Sequence, residues 1–442
     1  FSIVKHEATK DSFTAHFADK LAGLELSIDY QLDQHGILTV QSTIKNVAEG
    51  DYQLEQLLNW LPLPPQADEV LDFFGHHCKE RQPQRYPITY GLSTLEGFEG
   101  RSGHDFTITQ IALNKSTNFQ SGEAWSFAVA WSGNNVNHIE KLVDDNISIG
   151  GGEYLLPGEI ILKSGESYST PKVIAAYSAN GLDEITNKHY AHLRSRKNHP
   201  KSERPVNLNL WEAVYFDHNF EKLSKIIEKA SEVGVERVVL DDGWFGARRS
   251  DKAGLGDWVV SKEVWPQGLK PLADLVISKG MRFGLWFEGE MLQADSDVYR
   301  AHPDWVLQEP GRIPVTGRGQ QVLDLTKPAA FAHVLEQVDA VLKSCQISYI
   351  KWDHNRSLSD PISDGRPAVH NQTLAIYRLF DELKSRNPGL EIESCSSGGG
   401  RIDLGMIEHV DRFWVSDQND PLERQTIQRW TAMVIPPELL GT

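Results

Sequence analysis

Residues 348–356, SYIKWDHNR, read as a short β-strand that ends in a charged tip. Alternation along a strand sets Lys351 and Asp353 on one face, two residues apart. An ammonium beside a carboxylate favours its ionised form and lowers its pKa. Asp353 is therefore the candidate nucleophile for chemistry that needs an ionised, positioned carboxylate, such as double displacement at a glycosidic carbon. The competing reading is an ion pair at an exposed strand end, worth little. Double displacement also needs a second carboxyl, protonated and about 5–5.5 Å away. Asp417, in WVSDQND (414–420), is the candidate acid/base. It follows an apolar strand and has no cation of its own in the sequence, so burial and a nearby carboxylate are expected to raise its pKa. Asp420, its rival, precedes Pro421 and is better placed to cap a helix.

Further acidic tips follow apolar runs: Asp241–Asp242, Glu288 and Glu290, and Glu393 before Cys395. Any one of them could be a helix cap. Several tips opening on one mouth point instead to a polar site. The adjacent Asp241 and Asp242 suit a pair of sugar hydroxyls. A metal site is the lesser reading, because no ligand loop or spaced His pair accompanies them; no metal or other cofactor is expected. Gly398–Gly399–Gly400 lacks the spacing of a phosphate cradle and reads as a tight turn that lets backbone approach a ligand.

Such tips need a scaffold. Up to about Ser178 the chain carries short alternating segments such as LELSIDYQL, GILTVQSTIKNV and WSFAVAWSG, broken by Gly, Asn and Asp, as in a β-sandwich. Residues Leu182 to Arg196 read as a helix, and KNHPKSERP (197–205) as a linker. From Val206 strands alternate with amphipathic helices. Seven strands are expected, the fourth being QVLDLTKP (321–328), and SYIKWD the fifth. Repeated β-α units imply a parallel sheet and a (β/α)8 TIM-type barrel, with a doubly wound sheet as the alternative. Barrel sites gather at the C-terminal strand ends, where these acids fall. The domain expectation is 1–200 for the β-rich part and 201–442 for the barrel, truncated near its eighth strand.

The 442 residues carry a formal net charge of −17. That field repels phosphate and argues against nucleic-acid or anionic-membrane partners. Twelve Trp residues fit a core, and some could stack on sugar rings. Three sparse cysteines suit a reducing compartment. With no signal peptide visible, a cytoplasmic location is expected, although a start at Phe1 without Met also fits a trimmed chain.

The ordered motifs LDDGWFG, GLGDW, FGLWFEGEM, YIKWDHNR, ESCSSGGGR and WVSDQND resemble those of the glycoside hydrolase family 36 α-galactosidases, and the resemblance spans the whole chain. It implies an N-terminal β-supersandwich before the barrel, a family C-terminal β-domain that is missing from these residues, and a retaining mechanism with Asp353 as nucleophile and Asp417 as acid/base. It implies sugar contacts from Asp241, Asp242, Trp286, Arg318 and Lys351, and 2-hydroxyl contacts from Cys395 and Gly398. A small-molecule α-galactoside partner and a homo-oligomer, often a tetramer, follow from the same resemblance. Departures are His354 where Met is common, Ser397 where Gly is common, and LDFFGHHCKERQ (71–82), which lacks a usual Trp near Cys78 and bears on the outer subsite. The other readings are an α-N-acetylgalactosaminidase, which a bulky Cys395 near the sugar 2-position disfavours, a transgalactosylase, and a non-catalytic galactoside-binding protein.

Overall fold

In the computed structural model the chain is described over residues 1–313 and 315–441. The N-terminal part is two large antiparallel sheets and a two-stranded one, Tyr52–Leu54 with Ile160–Leu162. The larger has ten strands and includes Leu24–Leu32, Ile37–Asn46, Glu69–His76, Ala124–Ala130 and Lys172–Ser178. The smaller has four, in the order Asn59–Leu63, Ile147–Glu153, Asn135–Lys141, Gly91–Gly97. Strand Ala124–Ala130 shows why they pack: Phe127 and Val129, buried on one face, meet Gly151 of the smaller sheet, as residues of a sandwich interior must.

The second part is a seven-stranded parallel sheet: β1 (Asn207–Asn209), β2 (Arg237–Leu240), β3 (Arg282–Phe287), β4 (Tyr349–Trp352), β5 (Glu391–Ser394), β6 (Arg412–Trp414) and β7 (Leu440–Gly441). Its strands are short, and β2 and β3 are mostly apolar because both their faces are covered. Helix Phe220–Glu232 illustrates the covering. The Asn219 side chain caps it by accepting from Lys222 N–H, and Leu223, Ile227 and Ala230 form its buried stripe, the spacing of one helix face.

One expected strand is corrected. QVLDLTKP does not enter the parallel sheet: Gln321–Val322 pairs antiparallel with Met291–Leu292. Strand β3 instead pairs directly with β4, Gly284 opposite Tyr349 and Phe287 opposite Trp352. SYIKWD is thus the fourth parallel strand, and the seventh is the two-residue Leu440–Gly441. Only the first residues of the run are extended, with Leu325–Thr326 in a turn and Pro328 opening a helix; their partner is a loop after β3, which periodicity cannot reveal.

The expected linker is pinned rather than free. Asn198 Nδ2 donates to Glu408 O at 2.6 Å, and Arg204 Nη1 to Leu440 O at 2.6 Å. One hydrophobic cluster runs from Ile37 through Phe127 to Leu440, so both parts share a core. Trp430, in helix Pro421–Thr431, packs on Phe73 and Phe119 of the N-terminal part. Among the described residues no helix is long and apolar enough to cross a membrane.

Candidate active site

The C-terminal ends of the parallel strands open on a cavity of about 440 Å³. Asp241, Asp242, Trp286, Arg318, Lys351, Asp353 and Asp417 all line it. A cleft of about 820 Å³ beside helix Val369–Arg386 is larger. Its carboxylates are already committed, Glu153 to Tyr168 and His370, Glu159 to the backbone N–H groups of His370 and Leu156. Volume alone therefore does not find the reactive site.

Asp353 follows β4 and is 7% exposed. Its carboxylate accepts from Trp286 Nε1 at 3.1 Å, from His354 N at 2.9 Å and from Ser397 N at 3.3 Å. Lys351 is not its ion-pair partner, contrary to the expectation from the strand face. The ammonium pairs with Asp241 Oδ2 at 3.1 Å, and Asn209 Nδ2 donates to the same oxygen. Burial opposes the Lys351 charge, but Asp241, and further off Asp353 and Asp417, outweigh it and raise its pKa. The cation thus sits among three carboxylates instead of serving one.

Three other expectations are refined. Trp286 is 2% exposed and turns its indole N–H to Asp353, so it holds the carboxylate as well as walling the cavity. Asp242 takes a bidentate fork from Arg248, at 2.9 Å and 2.7 Å; burial raises its pKa despite that pairing. Arg318 reaches the cavity from a backbone with φ 55°.

Cys395 and Gly398 do not line the cavity. Cys395 is buried behind it at 1% exposure, and burial pushes its thiol up, the Asp353 charge adding to the effect. Its expected contact at a sugar 2-position, and the argument against an acetamide there, therefore do not follow from direct lining. Gly398, at φ +82°, has another role: a Cβ there would stand 2.7 Å from Asp417 N. Absence of a side chain lets the β5 turn pass beneath Asp417.

Asp417 departs most from expectation. Its side chain is 41% exposed; partial loss of solvent would raise its pKa, but a hydrogen bond from His77, the Lys351 charge and the Trp414 indole together hold it below the usual carboxylate range. Trp414 Nε1 donates to Oδ1 at 2.9 Å, and His77 Nε2 lies 3.0 Å from Oδ2. His77 sits in the turn that joins strands Glu69–His76 and Lys79–Pro87 of the N-terminal part, 340 residues away. Asp420 caps helix Pro421–Thr431 as expected, its Oδ1 accepting from Leu422 N at 2.8 Å and Glu423 N at 3.1 Å.

The N-terminal part builds the wall behind β5 and β6. Glu80 accepts from Gly399 N at 3.1 Å and from the Ser416 hydroxyl at 2.6 Å. Arg81 donates to Gly399 O at 2.8 Å, His104 Nε2 to Ser397 O at 2.7 Å, and Arg101 to His354 O at 2.9 Å. His354 is buried, and burial with Arg401 and Arg101 drives its pKa far down; it stays neutral. Sequence reading missed His77, Glu80, Arg101, Arg248 and Trp414 as parts of the site. Only LDFFGHHCKERQ carried a hint, through its departure from the family pattern.

Known proteins agree with this architecture. The melibiase family model matches residues 167–442, and that of the glycosyl hydrolase family 36 N-terminal domain residues 2–163. The chain is 39% identical to an alpha-galactosidase of Escherichia coli over 443 residues, 100% of this chain and 63% of that protein. It is 35% identical to alpha-galactosidase AgaA of Geobacillus stearothermophilus over 449 residues, 99% of this chain and 62% of that one. The solved structure of an AgaA variant in complex with raffinose matches with a TM-score of 0.94 at 34% identity, covering 98% of this chain and 62% of that one. The chain thus spans a little over three-fifths of the length of these relatives. With both parts matched end to end, the chain belongs to the melibiase family of glycosyl hydrolases, family 36.

Proposed function

We propose that the protein is a retaining α-galactosidase that releases terminal galactose from α-galactosides. The observation that carries the reading is the convergence of Asp353 and Asp417, two parallel strands apart, on one polar cavity. Relatives named alpha-galactosidase, and structures of AgaA variants with raffinose and stachyose, support the substrate class. The seven parallel strands are then the larger share of a (β/α)8 barrel, and the paired N-terminal sheets a β-supersandwich. The boundary between the two falls near residue 200.

Asp353 attacks C1 while Asp417 protonates the departing oxygen, giving a covalent β-galactosyl ester. Water then displaces Asp353 as Asp417 takes its proton, and α-galactose leaves. Three N–H donors hold the Asp353 carboxylate in one orientation for attack, the positioning that such a step requires. Asp241, Asp242, Lys351 and Arg318 supply acceptors and donors for sugar hydroxyls. A homo-oligomer fits the exposed hairpin of Ser2–Ala8 and Ser12–Asp19, where Ile3, Val4 and Phe13 face outward. Proton NMR of the first product from p-nitrophenyl α-galactoside tests the reading. Initial α-galactose supports it; initial β-galactose or no turnover refutes it.

A further inference from the structure

Both oxygens of Asp417 have partners of different kinds. The Trp414 indole can only donate, so Oδ1 is an acceptor. The oxygen left to carry a catalytic proton is Oδ2, and His77 Nε2 lies on it at 3.0 Å. An imidazole is the side chain best suited to hold and return a proton near neutral pH. Resting on the glycosidase reading above, we propose that His77, presented by the N-terminal part, is a positioning residue that stores the proton Asp417 delivers to the leaving group.

The resting pair is imidazolium and carboxylate. As substrate enters, the Nε2–H bond breaks and an Oδ2–H bond forms. That proton passes to the glycosidic oxygen as its bond to C1 breaks and Asp353 bonds to C1. In the second half water attacks C1, Asp353 leaves as a carboxylate, and the water proton returns through Oδ2 to Nε2. Atoms and charge balance with no other reactant.

The pair sits in a mixed field. Around His77 stand Asp417, Glu80, Arg318, Cys78 and the His104 ring, 5.7 Å away between centroids; Lys351 and Arg424 also face Asp417. The Asp417 hydrogen bond raises the His77 pKa against the opposing effect of burial, and Asp417 is lowered. The paired state therefore extends from below the usual carboxylate range to above the usual imidazole range. The alkaline limb of activity then reports loss of the His77 proton.

The test is the pH profile of kcat/KM on melibiose, with an unactivated sugar leaving group, for the full-length protein and His77→Gln. The variant's alkaline limb moves to lower pH by about one unit or more, so turnover on that side falls roughly tenfold or more. Loss is smaller with p-nitrophenyl α-galactoside, whose leaving group needs less help. An unmoved limb, with KM changed equally at every pH and for both substrates, makes His77 a mere substrate contact and overturns the proposal. Histidine NMR supplies a second measurement that needs no turnover. The His77 pKa falls in Asp417→Asn; an unchanged value also overturns the proposal. Failure to hydrolyse either substrate at any pH counts against the glycosidase reading and leaves the NMR result standing.

Discussion

The two carboxylates facing the cavity each accept an indole N–H and differ in their other partners. Asp353 is ringed by N–H donors from strand ends of its own parallel sheet. Asp417 leans on the other half of the molecule, through His77. Backbone and indole N–H groups cannot accept a proton or carry a full charge, so they aim a carboxylate without exchanging protons with it. An imidazole can do both. A nucleophile needs only to be aimed; an acid/base must be loaded and unloaded. On the proposed reading, the parallel sheet aims the attacking carboxylate and the seam between the two parts handles the proton.

The largest break in this contrast is Asp353→Gly, expected to lower kcat by about 10⁴-fold or more. Added azide, replacing the lost nucleophile on the same face, should yield β-galactosyl azide. Asp417→Ala comes next, with a loss of about 10²–10⁴-fold on melibiose and much less on p-nitrophenyl α-galactoside. Azide should then give the α-azide. The same azide anomer from both variants would mean that the roles are misassigned. Trp286→Phe removes one donor to a charged acceptor, worth about 1.5–3 kcal/mol, roughly ten- to a hundredfold in kcat/KM. Its alkaline limb should stay where it is, unlike that of His77→Gln; a shift would erase the distinction between the two carboxylates.

Glu80→Ala tests the seam itself. It strands the Gly399 N–H and the Ser416 hydroxyl, at a cost of about 1–3 kcal/mol of stability. Denaturant unfolding measures it, and an unchanged midpoint would show that the seam contributes little.

Much of the cavity was legible because local rules apply to it. Alternation put Lys351 and Asp353 on one tip, and the β-α rhythm sent Asp241, Trp286 and Asp417 to the same end of the sheet. Local rules failed where partners are chosen through space. The strand face suggested Lys351 with Asp353, but Asp241 on a neighbouring strand is the nearer partner. QVLDLTKP has the composition of a barrel strand and pairs elsewhere.

By itself, the sequence determined the β-rich and β-α halves, the acidic strand tips and the helix cap at Asp420, because periodicity, turn chemistry and capping act over a few residues. Tertiary structure alone decided that Glu80, Arg81 and His104 brace the turn after β5, that Asp417 meets an imidazole, and that Lys351 pairs with Asp241. Hydrogen bonds and charges depend on distance in space, and 340 residues of separation leave no local signature of a contact of 3.0 Å.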